Sequence, residues 1–164
     1  MIALVAALLA SSVPAPSTCR DGLTADDTVT SVYDLVSVPP GGGWDWDRIG
    51  ALFVDPGLFV TMLPSEGGTL MAKTDLETLR TETEAAYTGS GFIEAEYRRE
   101  TRIFGGIASI YSSFFIALPS ARNSPLATGL HHFQLAKISG CWRIVSNISQ
   151  IEGGTWTLPK TFRK

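Results

Sequence analysis

Two histidines, two cysteines and one arginine are the side chains of this 164-residue chain whose type and position could do chemistry. His131 and His132 are neighbours, and neighbours in an extended strand point to opposite faces, so the pair cannot hold one metal ion. With two cysteines and no other clustered ligands, neither a metal site nor a cofactor is expected. A histidine on an apolar strand face reads first as a core or rim residue, and in a pocket it can serve as a general base. Cys19 and Cys141 suit a bridge in an oxidising compartment, the alternatives being two free thiols or a lipid on Cys19. A lipidation signal wants small apolar residues just before the cysteine, whereas Pro16, Ser17 and Thr18 stand there.

The elements that must position these residues follow from periodicity and punctuation. Val29, Val32, Leu35 and Val36 fall at helical spacing in residues 24–37, with Thr24 as N-cap and Asp26 and Asp27 in the first turn. Asp45 caps a short second helix carrying Trp46, Ile49, Leu52 and Phe53. Residues 58–63 and 69–73 form a small ribbon. Thr74 and Glu77 then have the spacing of a capping box for a third helix, which ends at Gly89 and Gly91. The rest is β: residues 92–104 and 107–118 flank Gly105 and Gly106, and residues 130–138 and 141–151 flank Ser139 and Gly140, each as a hairpin.

Counting outward from each turn assigns a face to every strand residue. In the second hairpin, Lys137 opposes Trp142, Leu135 opposes Ile144, Phe133 opposes Ser146 and His131 opposes Ile148, an apolar face. His132, Gln134, Arg143, Asn147 and Ser149 take the other. In the first hairpin the inner face collects Ile93, Ala95, Tyr97, Ile103, Ala108, Ile110, Phe114 and Ile116, with Arg99 opposite Ser112 among them, and sends Glu94 and Glu96 outward. A guanidinium there must reach the rim, pair with a carboxylate such as Glu77, Glu82 or Glu84, or meet a ligand anion. Asn147, Ile148 and Ser149 match a glycosylation sequon, but they lie in mid-strand.

Composition sets the outer bounds. The chain is 45% hydrophobic, which suits one domain with a sizeable core and excludes intrinsic disorder. Thirteen Lys and Arg against sixteen Asp and Glu leave a net charge of −3, so no positive field marks a nucleic-acid partner. Residues 2–9 form an apolar run too short to span a bilayer, followed by small residues and prolines, the order of an export signal. Residues 1–18 therefore read as signal and linker, 19–152 as the domain and 153–164 as a tail. A periplasmic or secreted protein with no stable membrane anchor is expected.

Trp46 to Phe53 as a tryptophan-led helix, the following Asp55, Pro56, Gly57, Leu58, Phe59 and Val60, then Phe104 to Ala108, and finally Gly140 to Ile144 carry a family resemblance. Over about residues 23–150 the chain resembles a nuclear transport factor 2-like domain of the SnoaL-like kind. The resemblance implies a cystatin-like α+β cone: three N-terminal helices packed in the concave face of a curved, mainly antiparallel β-sheet. This fold hosts isomerases, dehydratases, hydrolases, binding modules and transport adaptors, so it implies no single activity. Ketosteroid isomerase relatives combine a tyrosine of the first helix with an aspartate base on the first short strand. Tyr33 matches the tyrosine, but Phe59, Val60, Thr61 and Met62 supply no carboxylate, which speaks against carbonyl isomerisation. The paired aspartates and arginine of the epoxide hydrolase relatives, and the His, His, Asp set of the dehydratase relatives, are not evident.

The leading expectation is an exported module that binds a small, largely apolar molecule in its cone. The ligand-binding residues expected are Tyr33, Tyr97, Arg99, Ser112, Phe114, His131 and Phe133, with Trp142 in the apolar lining. The alternatives are a lyase or isomerase with His131 as base and Arg99 stabilising an oxyanion, and a non-catalytic interaction domain that forms a homodimer through its open sheet face.

Overall fold

The first helix starts where its capping residues put it. In the computed structural model, which describes residues 19–163, the Thr24 hydroxyl accepts the Asp27 amide at 3.0 Å while the Asp27 carboxylate accepts the Thr24 amide at 3.1 Å. The export signal expected at residues 1–18 lies outside the described residues. Helix α1 (Ala25–Val36) buries Ala25, Val29, Val32 and Tyr33 along one face, and α2 (Trp46–Ala51), capped by Asp45, buries Ile49. Strands β1 (Phe59–Ser65) and β2 (Gly68–Thr74) form the ribbon, and α3 (Leu76–Tyr87) follows. Its cap differs from the expected Thr74 box. Thr74 is the last residue of β2, paired with Phe59, so the cap passes to Asp75, whose carboxylate accepts the Thr78 amide at 2.8 Å.

Strands β3 (Ile93–Phe104), β4 (Ile107–Ala117), β5 (Ala127–Ile138) and β6 (Cys141–Ile151) complete a six-stranded, unclosed sheet in the order β2-β1-β6-β5-β4-β3. All neighbours are antiparallel except β1 and β6. Ser139 and Gly140 both take positive φ, 51° and 87°, which a tight hairpin turn of this hand requires. The architecture is the expected α+β arrangement, with helices against the sheet. Phe114, Phe133, Ile110, Ile144 and Leu135 from the sheet meet Val29, Tyr33, Ile49 and Leu52 in one core. Trp142 joins it at 5% exposure, opposite Lys137 as counted.

Near the turns the expected register holds: Arg99 opposes Ser112, and Leu135 opposes Ile144. Farther out it fails in both hairpins, for one reason. A β-bulge places one extra residue in a strand, and every side chain beyond it changes face. In β3 the shift falls between Glu96 and Arg98, so Glu96 opposes Phe114 and Glu94 opposes Ile116. Tyr97, expected inside, instead stacks on Phe115 on the outer face with ring centroids 5.1 Å apart. In β6 the shift comes after Ile144, so Asn147 opposes Phe133 and Ser149 opposes His131, while Ser146 and Ile148 pair with Gln134 and His132.

Cys19 and Cys141 are disulfide-bonded, their Cα atoms 5.3 Å apart, and beside the bridge the Trp142 amide donates to the Gly22 carbonyl at 2.9 Å. The segment that follows β6 is held by Glu152, whose carboxylate accepts the Thr128 hydroxyl at 2.6 Å and the Leu158 amide at 2.9 Å. Among the described residues, no helix is long and apolar enough to cross a membrane.

Candidate functional site

Between the helices and the concave face of the sheet lies a cavity of about 280 Å³. Trp44, Trp46, Phe59 and Phe92 supply aromatic walls, and Leu76, Leu79, Thr83 and Tyr87 of α3 form its cover. None of the α3 residues is fully buried. The helix packs against the core through the half-buried Leu76 and Leu79, which also line the cavity.

The floor is polar and comes from three strands. Nε2 of His131 on β5 lies 2.6 Å from Oε1 of Glu94 on β3, and Nδ1 lies 2.7 Å from the Ser149 hydroxyl of β6. The Asn147 amide nitrogen sits 3.2 Å from the same Nδ1. Both ring nitrogens are thus engaged, Nε2 by the Glu94 carboxylate and Nδ1 by the Ser149 hydroxyl and the Asn147 amide. The imidazole stacks on Phe114, centroids 3.9 Å apart, so both its plane and its two nitrogens are fixed. Asn147 Oδ1 is buried and has no hydrogen-bond partner among the described residues.

A second network runs behind the floor. The Tyr33 hydroxyl is 2.6 Å from Ser112 Oγ, and Ser112 donates in turn to Glu96. Burial, followed by the nearby Glu94 charge, pushes the Tyr33 phenol well above its ordinary value, so it remains a neutral donor. Glu96 takes two bonds from Arg99, at 2.8 and 2.9 Å, and Arg99 also reaches the Asp26 carbonyl at 2.6 Å and Thr30 at 3.1 Å. Burial acts to lower the guanidinium pKa, but Glu96 and Asp26 outweigh it and the net shift is upward. The carboxylates that answer Arg99 are thus Glu96 and Asp26, not the expected Glu77, Glu82 or Glu84. Glu84 instead accepts the Trp46 indole N–H at 2.7 Å.

The residues expected to share one pocket do not all line the same space. Phe114 and His131 line the cavity, while Ser112 and Phe133 are fully buried beneath it. Tyr33 and Arg99 line a separate groove of about 370 Å³ between α1 and β3, and Tyr97 is on the outer face. Glu94 borders both spaces. Sequence reasoning missed Glu94, Asn147 and Ser149, since each sits beyond a bulge that no glycine or proline marks. His132 lies on the outer face as alternation requires, stacked on Tyr111 with centroids 4.3 Å apart, and burial lowers its pKa.

Glu94 and His131 form a carboxylate–imidazole pair at the bottom of an apolar cavity. No protein-family model and no curated protein matches the chain. Solved structures do. A nuclear transport factor 2-like protein with a cystatin-like fold from Novosphingobium aromaticivorans aligns with a TM-score of 0.60 at 13% identity, over 79% of this chain and 80% of that one. A Nostoc punctiforme protein of unknown function with a cystatin-like fold gives 0.55 at 16%, over 80% and 95%. The β subunit of a putative aromatic-ring-hydroxylating dioxygenase from N. aromaticivorans gives 0.56 at 16%, over 80% and 89%. At such identities the likeness speaks for architecture and not for chemistry. The chain shares the cystatin-like α+β fold of these structures.

Proposed function

We propose that this domain is an exported binding module that takes a small, largely apolar molecule into its cone. The observation that carries the reading is the cavity itself: about 280 Å³, walled by aromatic and aliphatic side chains, with its polar groups gathered on one floor. Few convergent polar groups in an apolar enclosure are what a small-molecule site needs. The Cys19–Cys141 bridge supports an oxidising compartment, and the apolar run of residues 2–9 supports export to it. Native mass spectrometry of the protein purified from its own host tests the binding. A retained small-molecule mass that disappears in a Leu79→Trp variant, which fills the cavity from α3, is the expected result. Bare protein mass in both forms refutes it.

One observation favours a second reading, that of a lyase or isomerase. Glu94 completes His131 as an acid–base pair inside the cavity, while Arg99, the oxyanion group of that reading, is committed to Glu96 and Asp26 outside it. Any such reaction would rest on Glu94 and His131 alone. A homodimer through the outer sheet face is also part of the proposal, supported by exposed Tyr111, Val145 and Ile148 there.

A further inference from the structure

The polarity of the cavity floor restricts what can lie on it. Glu94 is the one carboxylate among the residues lining the cavity, and no lysine or arginine lines it. His131 Nε2–H faces Glu94, and the Asn147 amide and the Ser149 hydroxyl both lie within reach of His131 Nδ1. Two acceptors on that floor are left over. Among the described residues, Glu94 takes its hydrogen bond on Oε1, leaving Oε2 over, and Asn147 Oδ1 is buried with no partner at all. A buried acceptor left unmade costs free energy, which a molecule bringing its own donor would recover.

From this we infer that the ligand is a small aromatic or alicyclic molecule that presents a hydrogen-bond donor, an N–H or O–H, to Glu94 and Asn147, and that such a molecule is preferred over carboxylates and pure acceptors. The inference rests on the cone being a ligand site and adds the polarity of the ligand. Size follows from volume: a cavity of roughly 150 Å³ holds benzene, so about 280 Å³ suits a fused two-ring molecule. Carboxylate ligands would place a second negative charge beside Glu94 in a low-dielectric site, and a carbonyl would face lone pairs. The aromatic walls add no preference of their own between donor and acceptor among neutral rings, so the floor decides.

Indole, benzofuran and 1-indanone separate the possibilities, since indole and benzofuran share a shape and differ in the N–H, while 1-indanone offers a carbonyl. Calorimetric titration of the full disulfide-bonded protein is expected to show indole binding about tenfold more tightly than either of the others, the order of one buried hydrogen bond made or lost. In Glu94→Gln, whose amide can turn N–H groups toward the cavity, the gap narrows and 1-indanone gains. Benzofuran or 1-indanone binding the wild type as tightly as indole overturns the inference and leaves the cone standing as a ligand site. Failure of all three to bind overturns both. An indole preference unchanged in Glu94→Gln and in Asn147→Leu alike also overturns it, because the discrimination would then come from elsewhere.

Discussion

Glu94 Oε1 on β3 and His131 Nε2 on β5 meet at 2.6 Å across the intervening strand β4, with the Phe114 ring of β4 lying against the imidazole. Three strands therefore have to hold their spacing for one proton-sharing contact to exist. The position that most directly guards it is Gly129, which pairs with Phe114 and lies two residues from His131.

A side chain at Gly129 has no room. Its Cβ would come within 2.5 Å of the Gln150 carbonyl and 2.8 Å of the Phe114 ring. Gly129→Ala is expected to destabilise by about 1–3 kcal/mol, the range for overpacking, and to displace Phe114 from beneath His131. Denaturant unfolding measures the first effect, and the His131 ring resonances in an NMR spectrum report the second.

Arg99, held by Glu96 of its own strand, ties that edge strand to Asp26 and Thr30 of α1, and it lies outside the cavity. Arg99→Met should lower stability by about 1–3 kcal/mol, the scale of hydrogen bonds to charged groups, and leave indole affinity unchanged. Lost binding in a fully folded variant would show that the ligand occupies the α1–β3 groove instead.

The Cys19–Cys141 bridge closes a loop spanning 122 positions. Replacing both cysteines with serine is expected to cost about 2–4 kcal/mol, chiefly by freeing the unfolded chain. A midpoint in guanidinium unaffected by the double substitution, or native protein that alkylates at both positions without reductant, contradicts the bridge.

Trp142 rests in the core beside that bridge. Trp142→Ala should cost about 3–5 kcal/mol, as for other buried large aromatics, read again from chemical denaturation.

Acid sensitivity should appear at Asp21. Its carboxylate accepts two bonds from Arg48 of α2, at 3.1 and 2.7 Å, and that hydrogen bonding holds its pKa below the ordinary 3.8. A carboxyl with a depressed folded-state pKa contributes stability that is present above its unfolded value and is lost as pH falls through the folded one. Asp21→Asn is thus expected to be less stable than the parent at neutral pH and to converge with it as the pH is taken down below 3.8 and the carboxylate protonates. A stability difference that stays constant throughout the acid titration would mean that the Asp21 charge contributes nothing.

Much of this protein was determined by local sequence. Thr24 and Asp45 fix where two helices begin, because capping is a contest between one side chain and the nearest free amides. Gly105 and the Ser139, Gly140 pair fix the hairpin turns, because few residues accept positive φ. The register near each turn, the burial of Trp142 and the α+β order follow from those signals. Tertiary structure decided the rest. The extra residue near Tyr97 and the one beyond Ile144 are accommodated by pairing with neighbouring strands, and no local preference of those residues announces them. Each bulge reverses the faces of everything past it, so Glu94, Asn147 and Ser149 came into the cone and Tyr97 left it. The choice of Asp75 over Thr74 as the cap of α3 has the same origin, since Thr74 was already taken by its pairing with Phe59. A side chain's type is written in the chain, but the face it occupies depends on the sum of residues between it and the last turn, and that sum is settled by the partner strand.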